Sequence, residues 1–239
     1  MRGLEGYREF EFFRGKVRFK QPRAHRLSIV EILFVANLKG IKKSSKVVDL
    51  GAGFGALSIL TALRYQCQVW AIERDPIMLE LLRYNVKVNN LEDRIHILDL
   101  DLRYIKEDLS PHIFDVAIAN PPFYKGQAKD NIYHHESDTS LEDFIKSGSF
   151  LLKDGRGFNI LIASNRLVEA LMHIKKYNMN AASLRIFYPK HDKNGKITHI
   201  YALKNLNPAL IIEKPLIINE KGGEYTQEVE NILESFFVI

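Results

Sequence analysis

A short apolar strand that runs straight into three closely spaced glycines constrains this chain more than any other segment. Lys46-Val47-Val48-Asp49-Leu50 reads as a buried strand, Gly51-Ala52-Gly53-Phe54-Gly55 as a loop, and residues 56–65 as a helix. Glycines at such a junction permit positive φ and let a ligand approach the backbone closely. The helix N-terminus adds free amides and the positive end of a dipole. Glu73 ends the next strand, Gln68-Val69-Trp70-Ala71-Ile72-Glu73, where a carboxylate is placed to hold ribose hydroxyls. Gly51, Gly53 and Ala56 also satisfy a G-x-G-x-x-A dinucleotide pattern, so the loop alone leaves two readings open.

Strands and helices alternate from there on. A helix over 28–38 has Ser28 as its N-cap, and a helix over 76–89 carries Pro76 in its first turn. Strands follow at 94–98 and 114–119. A helix over 141–152 is opened by Ser140 with Asp143 three residues on. A strand at 157–163, a helix at 165–177, and strands near 183–189 and 197–204 come next. Asn194-Gly195 between the last two is a strong hairpin signal. The pattern predicts an α/β fold: a mostly parallel, seven-stranded twisted sheet with an antiparallel C-terminal hairpin and helices on both faces. Residues 46–206 form its core. Residues 1–45 are a basic hairpin and helix within the same domain. Residues 207–239 are an extension whose strand is edge-like because of Pro208 and Pro215, followed by a helix near 226–237.

Composition narrows the class. Of 239 residues, 46% are hydrophobic and 26% charged, which excludes a disordered chain. No apolar run reaches ~18 residues, so no membrane span is expected. The first residues lack the apolar core of a signal peptide. The single Cys67 has no internal partner, and a reduced, cytoplasmic setting is expected. Residues 1–45 carry 11 Lys/Arg against 4 Asp/Glu, a net of +7, whereas the remainder is slightly acidic. Arg14, Lys16, Arg18, Lys20, Arg23 and Arg26 interleave with Phe10, Phe12, Phe13 and Phe19. Such a patch suits phosphate contacts and base stacking. An amphipathic hairpin with its phenylalanines in the core is the other reading.

The strand Phe114-Asp115-Val116-Ala117-Ile118-Ala119 ends in Asn120-Pro121-Pro122-Phe123-Tyr124. Adjacent prolines fix the backbone and expose carbonyls with no competing amide at 121 and 122. An open α/β sheet binds its ligands at this carboxyl edge. An amino group conjugated to an aromatic ring or a carbonyl is a poor nucleophile, because its lone pair is delocalised. Asn120 Oδ1 and the Pro121 carbonyl are suited to accept its two N–H bonds and favour the pyramidal nitrogen, a preorganised stabilisation of developing charge. Phe123 offers a face for stacking a base, worth ~1–3 kcal/mol, and Tyr124 is placed to line the same pocket. A paired base cannot reach such a site, so the target is unpaired or flipped.

Asp49-x-Gly51-x-Gly53-x-Gly55 resembles the first motif of class I S-adenosylmethionine-dependent methyltransferases, whose core is Rossmann-like. Asn-Pro-Pro-Phe is similar to the motif of amino-group methyltransferases acting on adenine N6, guanine N2 or glutamine amides. Gln21-Pro22-Arg23-Ala24-His25-Arg26-Leu27-Ser28-Ile29 resembles the Q-P-x-x-G-Y-R-F-S-I-D segment of the bacterial valine-tRNA adenine-N6 methyltransferase family. His135-Glu136 with Leu141-Glu142-Asp143, and Gly223-Glu224-Tyr225-Thr226, are similar to further stretches of that family. Ala24-His25 stands in place of Gly-Tyr, Leu27 in place of Phe and Val30 in place of Asp, and the segment is one residue shorter.

The resemblance implies S-adenosylmethionine as cofactor, with loop 51–55 along its methionine part, Glu73 on the ribose and Asp101 facing the adenine amine; Asp99 is the competitor for that role. It implies tRNA as partner and an adenine next to the anticodon as target, with His135 near the target base. His134-His135-Glu136 lacks the spacing of a metal site, and no metal is expected. A monomer is expected. Methylation of a release-factor glutamine is the alternative, but only 48 residues precede Asp49, too few for the helical domain those enzymes carry. Methylation of ribosomal RNA guanine N2 is another; those enzymes commonly carry a second domain. A dehydrogenase leaves Asn-Pro-Pro-Phe unexplained, and a non-catalytic RNA-binding module has no need of Asn120 or Glu73.

Overall fold

The computed structural model describes residues 7–22, 26–125, 135–136 and 139–238. The chain opens with a hairpin, β1 (Glu9–Phe12) and β2 (Val17–Lys20), turned through positive φ at Phe13, Arg14 and Gly15. Helix α1 (Ile29–Ala36) follows, then β3 (Lys46–Leu50), α2 (Ala56–Tyr65), β4 (Gln68–Glu73), α3 (Pro76–Val88), β5 (Ile95–Asp99), α4 (Ile105–Asp108) and β6 (Phe114–Ala119). Two short strands, β7 (Tyr124–Lys125) and β8 (His135–Glu136), pair with each other. The remainder is α5 (Leu141–Leu151), β9 (Leu152–Ala163), α6 (Leu167–Lys176), β10 (Met179–Lys190), β11 (Ile197–Lys204), β12 (Ile211–Ile212), β13 (Leu216–Asn219) and α7 (Gln227–Glu234).

The main sheet runs β12-β10-β11-β9-β6-β3-β4-β5, with β13 also on β10. Strands β5, β4, β3, β6 and β9 are mutually parallel, and β11 enters antiparallel between β9 and β10. The expected fold class holds, but nine strands stand where seven were expected. The two extra strands are the residues on either side of Pro215. They lie parallel on the outer edge of β10, where a residue without an amide donor costs the ladder nothing. The hairpin also differs from its signal. Asn194 and Gly195 do not take the positive φ of a two-residue turn, and a six-residue loop, 191–196, joins β10 to β11.

Alternation along the strands separates two apolar layers. Val47, Val116 and Ile118 pack on one face with α1, α2, α3, the hairpin's Phe19 and the tail's Phe236. Val48, Leu50, Ala117 and Ala119 pack on the other with α4, α5 and α6. The hairpin is fixed by two asparagines four residues apart, Asn85 in α3 and Asn89 at its C-cap. Asn85 accepts from Lys20 N at 2.7 Å and donates to Lys20 O at 2.8 Å; Asn89 does the same for Arg18, at 3.0 and 2.7 Å. Asn85 also donates to the Phe54 carbonyl at 2.8 Å, so one buried amide ties the hairpin to the glycine loop. Among the described residues no helix is long and apolar enough to cross a membrane.

Candidate active site

Sheet register brings the site together. Leu50 of β3 lies opposite Ile72 of β4 and Ala119 of β6. Gly51, Glu73 and Asn120 therefore leave three adjacent strands at one level of the carboxyl edge. The glycines of the loop have different reasons to be glycine. A Cβ on Gly51 would sit 2.8 Å from the Phe144 ring, and one on Gly55 would sit 2.5 Å from Leu82, so both are set by internal packing. Gly53, at φ +57°, faces open space, and its amide donates to Glu73 Oε2 at 2.7 Å. The amides of Arg74 and Asp75 donate to the other oxygen, at 2.7 and 2.8 Å. Three backbone donors thus aim the Glu73 carboxylate, while its burial raises its pKa.

Asp49 is fully buried at the end of β3. Its Oδ2 accepts from Ser58 Oγ of α2 at 2.6 Å, and its Oδ1 has no partner. Burial pushes its pKa up to about 7, with the nearby Glu73 and Glu31 charges adding to the rise. Asn120 Oδ1 is likewise buried without a partner. Buried acceptors are seldom left unmade, because each costs ~1–3 kcal/mol. Two of them on adjacent strand ends, beside a loop open at Gly53, fit a ligand that brings N–H donors.

The sequence misses Glu31. It stands one residue after Val30, at the third position of α1, and forms a full capping box with Ser28: Ser28 N donates to Glu31 Oε2 at 2.8 Å and Glu31 N donates to Ser28 Oγ at 3.4 Å. Glu31 is buried, which lifts its pKa to about 7. Its hydrogen bonds with Ser28 moderate that rise. The Ser28-x-x-Glu31 spacing was the signal available for it.

Arg166 is the second residue missed. Buried in the turn after β9, it donates to the Pro122 carbonyl at 3.3 Å and pairs with Glu169 at 2.9 Å. Of the two carbonyls expected to be exposed, that of Pro122 is therefore held by the protein's own arginine, whereas the one expected to accept from the target amine is that of Pro121. Phe123 is half-buried against the first apolar layer.

The other expected residues are placed as follows. Asp101 caps the turn 102–104 through Arg103 N at 2.9 Å and pairs with Arg103 at 2.6 Å and Arg74 at 2.9 Å. Arg103, then Arg74, hold its pKa down to about 2. Asp99 is exposed and lies 4.0 Å from Arg83. Tyr124 and His135 are register partners on β7 and β8. In the hairpin, Lys16 lies over Phe237, Lys20 over Tyr84 and Arg26 over Phe10, at 5.4, 4.3 and 5.8 Å from the ring centroids. Arg18 lies 3.8 Å from Glu9, and Arg14 is exposed. Phe12, Phe13 and Phe19 pack inward and the cations lie outward, as an amphipathic hairpin requires. Arg23 and His25 lie outside the described residues. No cluster of metal-ligating side chains occurs among the described residues.

Comparison with known proteins bears on this geometry. A tRNA1(Val) (adenine(37)-N6)-methyltransferase of Dyadobacter fermentans is 26% identical over 208 residues, covering 83% of this chain and 85% of its own. A protein of the same name from Porphyromonas gingivalis is 28% identical, covering 80% and 78%. Among solved structures, a predicted O-methyltransferase of Agrobacterium tumefaciens superposes with a TM-score of 0.72 at 21% identity, covering 87% of this chain and 96% of that one. M. jannaschii TYW2 in complex with AdoMet superposes at 0.56 and 19%, covering 82% and 84%. These superpositions establish the fold. The model of the methyltransferase small domain matches residues 25–181, a span that runs from the segment before α1 through the glycine loop and Asn-Pro-Pro-Phe into β10, and the chain belongs to that family of methyltransferases.

Proposed function

We propose that this chain is an S-adenosylmethionine-dependent methyltransferase that modifies the exocyclic N6 amine of an adenine in tRNA. The single observation that carries the reading is the buried, unpartnered Oδ1 of Asn120, beside two prolines and level with the glycine loop. The relatives' shared name, over four-fifths of this chain, supports tRNA and adenine as the substrate class.

The residues present fit the cofactor. Glu73 offers a preoriented carboxylate to ribose hydroxyls, Gly53 leaves room beside the loop, and Asp49 Oδ1 offers an acceptor to an ammonium or amide donor. Buried Glu31, Asp49 and Glu73 gather three acids with raised pKa values at this edge, and a cationic ligand favours their ionised forms. When bound, S-adenosylmethionine supplies an electrophilic methyl group on a sulfonium sulfur. The chain's own part is to hold the amine. Asn120 Oδ1 accepts one of its N–H bonds, which draws the nitrogen out of conjugation with the ring and fixes its lone pair in one direction. Phe123 stacks the base. No strong general base is needed beforehand, because an alkylated amine is acidic enough to lose its proton to water.

The test is methyl transfer from labelled S-adenosylmethionine to unmodified tRNA, ribosomal RNA and release factor in parallel, with digestion and mass spectrometry. N6-methyladenosine from tRNA is the expected product. Label in methylglutamine or N2-methylguanosine would overturn the substrate, and no binding of the cofactor would overturn the reading.

A further inference from the structure

We propose that Arg166 is a positioning residue for methyl transfer: it holds the Pro122 carbonyl and thereby fixes where Phe123 presents its ring to the target base. This rests on the amino-methyltransferase reading above. Pro121 and Pro122 have no amide hydrogen, so each can be hydrogen-bonded from outside only through its carbonyl. Their rings fix φ but leave ψ to the surroundings. The Pro122 carbonyl and the Phe123 amide share one rigid peptide plane. A donor that holds this oxygen therefore also sets the direction in which the chain leaves the second proline. Arg166 Nη1 donates to it at 3.3 Å.

The arginine is itself held. Its Nε donates to Glu169 Oε2 at 3.2 Å and its Nη2 to Oε1 at 2.9 Å, a two-pronged pairing that fixes the guanidinium plane. The turn that carries it, 164–166, is tied to the start of β11. Ser164 N donates to the Lys196 carbonyl at 2.8 Å, and Ser164 Oγ lies 2.9 Å from Thr198 Oγ1. In the sheet, β9 lies beside β6 with Ile160 level with Ala119, and Leu161, Ile162 and Ala163 carry β9 past that level. The clamp thus stands on a strand separate from the one whose end it controls. Arginine is seldom buried unless paired, and a buried ion pair is not by itself a stabilising device. A pair that served only the first turn of α6 could sit at the surface. This one is buried where it also reaches a carbonyl 44 residues earlier.

The experiment uses the full chain with four variants: Arg166→Met, Phe123→Ala, the double variant Arg166→Met with Phe123→Ala, and Arg166→Gln with Glu169→Gln. The last removes both charges together, leaves no buried charge unpaired, and so keeps the fold where the single arginine change does not. Single-turnover transfer over a range of tRNA concentrations and calorimetric affinity for S-adenosylmethionine are measured for each. Arg166→Met is expected to slow transfer at saturating tRNA about 10- to 100-fold. The half-saturating tRNA concentration and the cofactor affinity should each change less than about threefold. The paired Gln variant should lose rate to the same extent. Adding Arg166→Met to Phe123→Ala should cost no more than about twofold further, because both remove the same placement of one ring.

A second readout needs no substrate. Pro122-Phe123 is the one Pro-Phe pair in the sequence. Protein labelled with 13C at the proline carbonyl and 15N in phenylalanine therefore gives a single carbonyl–amide correlation, that of the peptide plane in question. Its carbonyl signal should move upfield in Arg166→Met and in the paired Gln variant, as a carbonyl does on losing a donor. A loss of stability without loss of this contact would leave it in place. If no RNA accepts a methyl group from the unmodified protein, the function above fails while this readout still decides the contact. An unmoved Pro122 signal in the arginine variants would overturn the proposal, and so would a normal transfer rate in either of them.

Discussion

Two acidic groups at the carboxyl edge of one sheet have opposite surroundings. Asp49, above β3, is fully buried, has one partner and one idle oxygen, and has its pKa pushed up to about 7. Asp101, just beyond β5, lies near the surface, gives both oxygens to arginines and a backbone amide, and has its pKa held down to about 2. The first is a group that folding alone leaves unsatisfied. The second is complete without a ligand. A carboxylate with unused acceptor capacity in a buried place is a binding group whose partner arrives later, whereas one enclosed by its own arginines serves the fold first. The edge over β3 and β6, where Asn120 also keeps a free oxygen, is therefore where the largest functional losses are expected.

Substitution at Asp49 sharpens the contrast most. Asp49→Asn is expected to weaken S-adenosylmethionine by about 10- to 100-fold, the range of a hydrogen bond to a charged group. Calorimetry checks this, and an unchanged affinity would remove Asp49 from the binding edge.

Acidity separates the two groups next. Asp49 and Glu31 have folded pKa values of about 7 against 3.8 and 4.5 ordinarily. Between those values the folded protein binds more protons than the unfolded one. Their contribution to stability is thus fully present near pH 4 and is lost as pH rises to about 7. Asp101 behaves in the reverse way: its contribution is present above pH 4 and is lost as pH falls toward 2. Denaturant titrations of the free protein should show the first limb disappear in part in Asp49→Asn and the acid limb shrink in Asp101→Asn. A cationic ligand favours the ionised acids, so affinity for S-adenosylmethionine should rise by up to about tenfold from pH 6 to 7 for each proton released. A flat profile would contradict this.

At Asp101 itself the loss should be smaller. Asp101→Asn should weaken the cofactor by no more than about threefold, since its ion pairs are partly exposed. A loss as large as that of Asp49→Asn would break the comparison. Smallest of all are the hairpin lysines. Lys16→Gln and Lys20→Gln should each lower tRNA affinity about threefold at most, since both cations already lie over the chain's own rings. Filter binding across a salt series measures it, and a tenfold loss from either would mean that these contacts are surrendered to RNA.

Much of this arrangement was legible in the sequence, because it rests on local chemistry. Asp49 to Gly55 announces strand, loop and helix in one run, and Ser140 with Asp143 announces a helix start that the structure caps in full. The strands of β3, β4 and β6 carry enough alternation or apolar content to be placed within a residue. What escaped depends on distance along the chain or on polar strand surface. Strand β9 begins at Leu152, five residues before its apolar run, because exposed Asp154, Gly155 and Arg156 continue the strand with no hydrophobic signal. Glu31 sits one position away from the aspartate of the resembling segment, and only its burial distinguishes it from an ordinary cap. Arg166 reads as the start of a helix, since nothing local points to the Pro122 carbonyl 44 residues earlier.

The central claim is that Asn120 Oδ1 is kept free to accept from the target amine, and Asn120→Ala tests it most directly. Single-turnover methyl transfer and cofactor affinity should be measured on the same protein. Transfer is expected to fall by about 10²- to 10³-fold, as when one preorganised hydrogen-bonding group is removed from a reacting centre, with affinity for S-adenosylmethionine nearly unchanged. Transfer at the normal rate by Asn120→Ala would contradict the account.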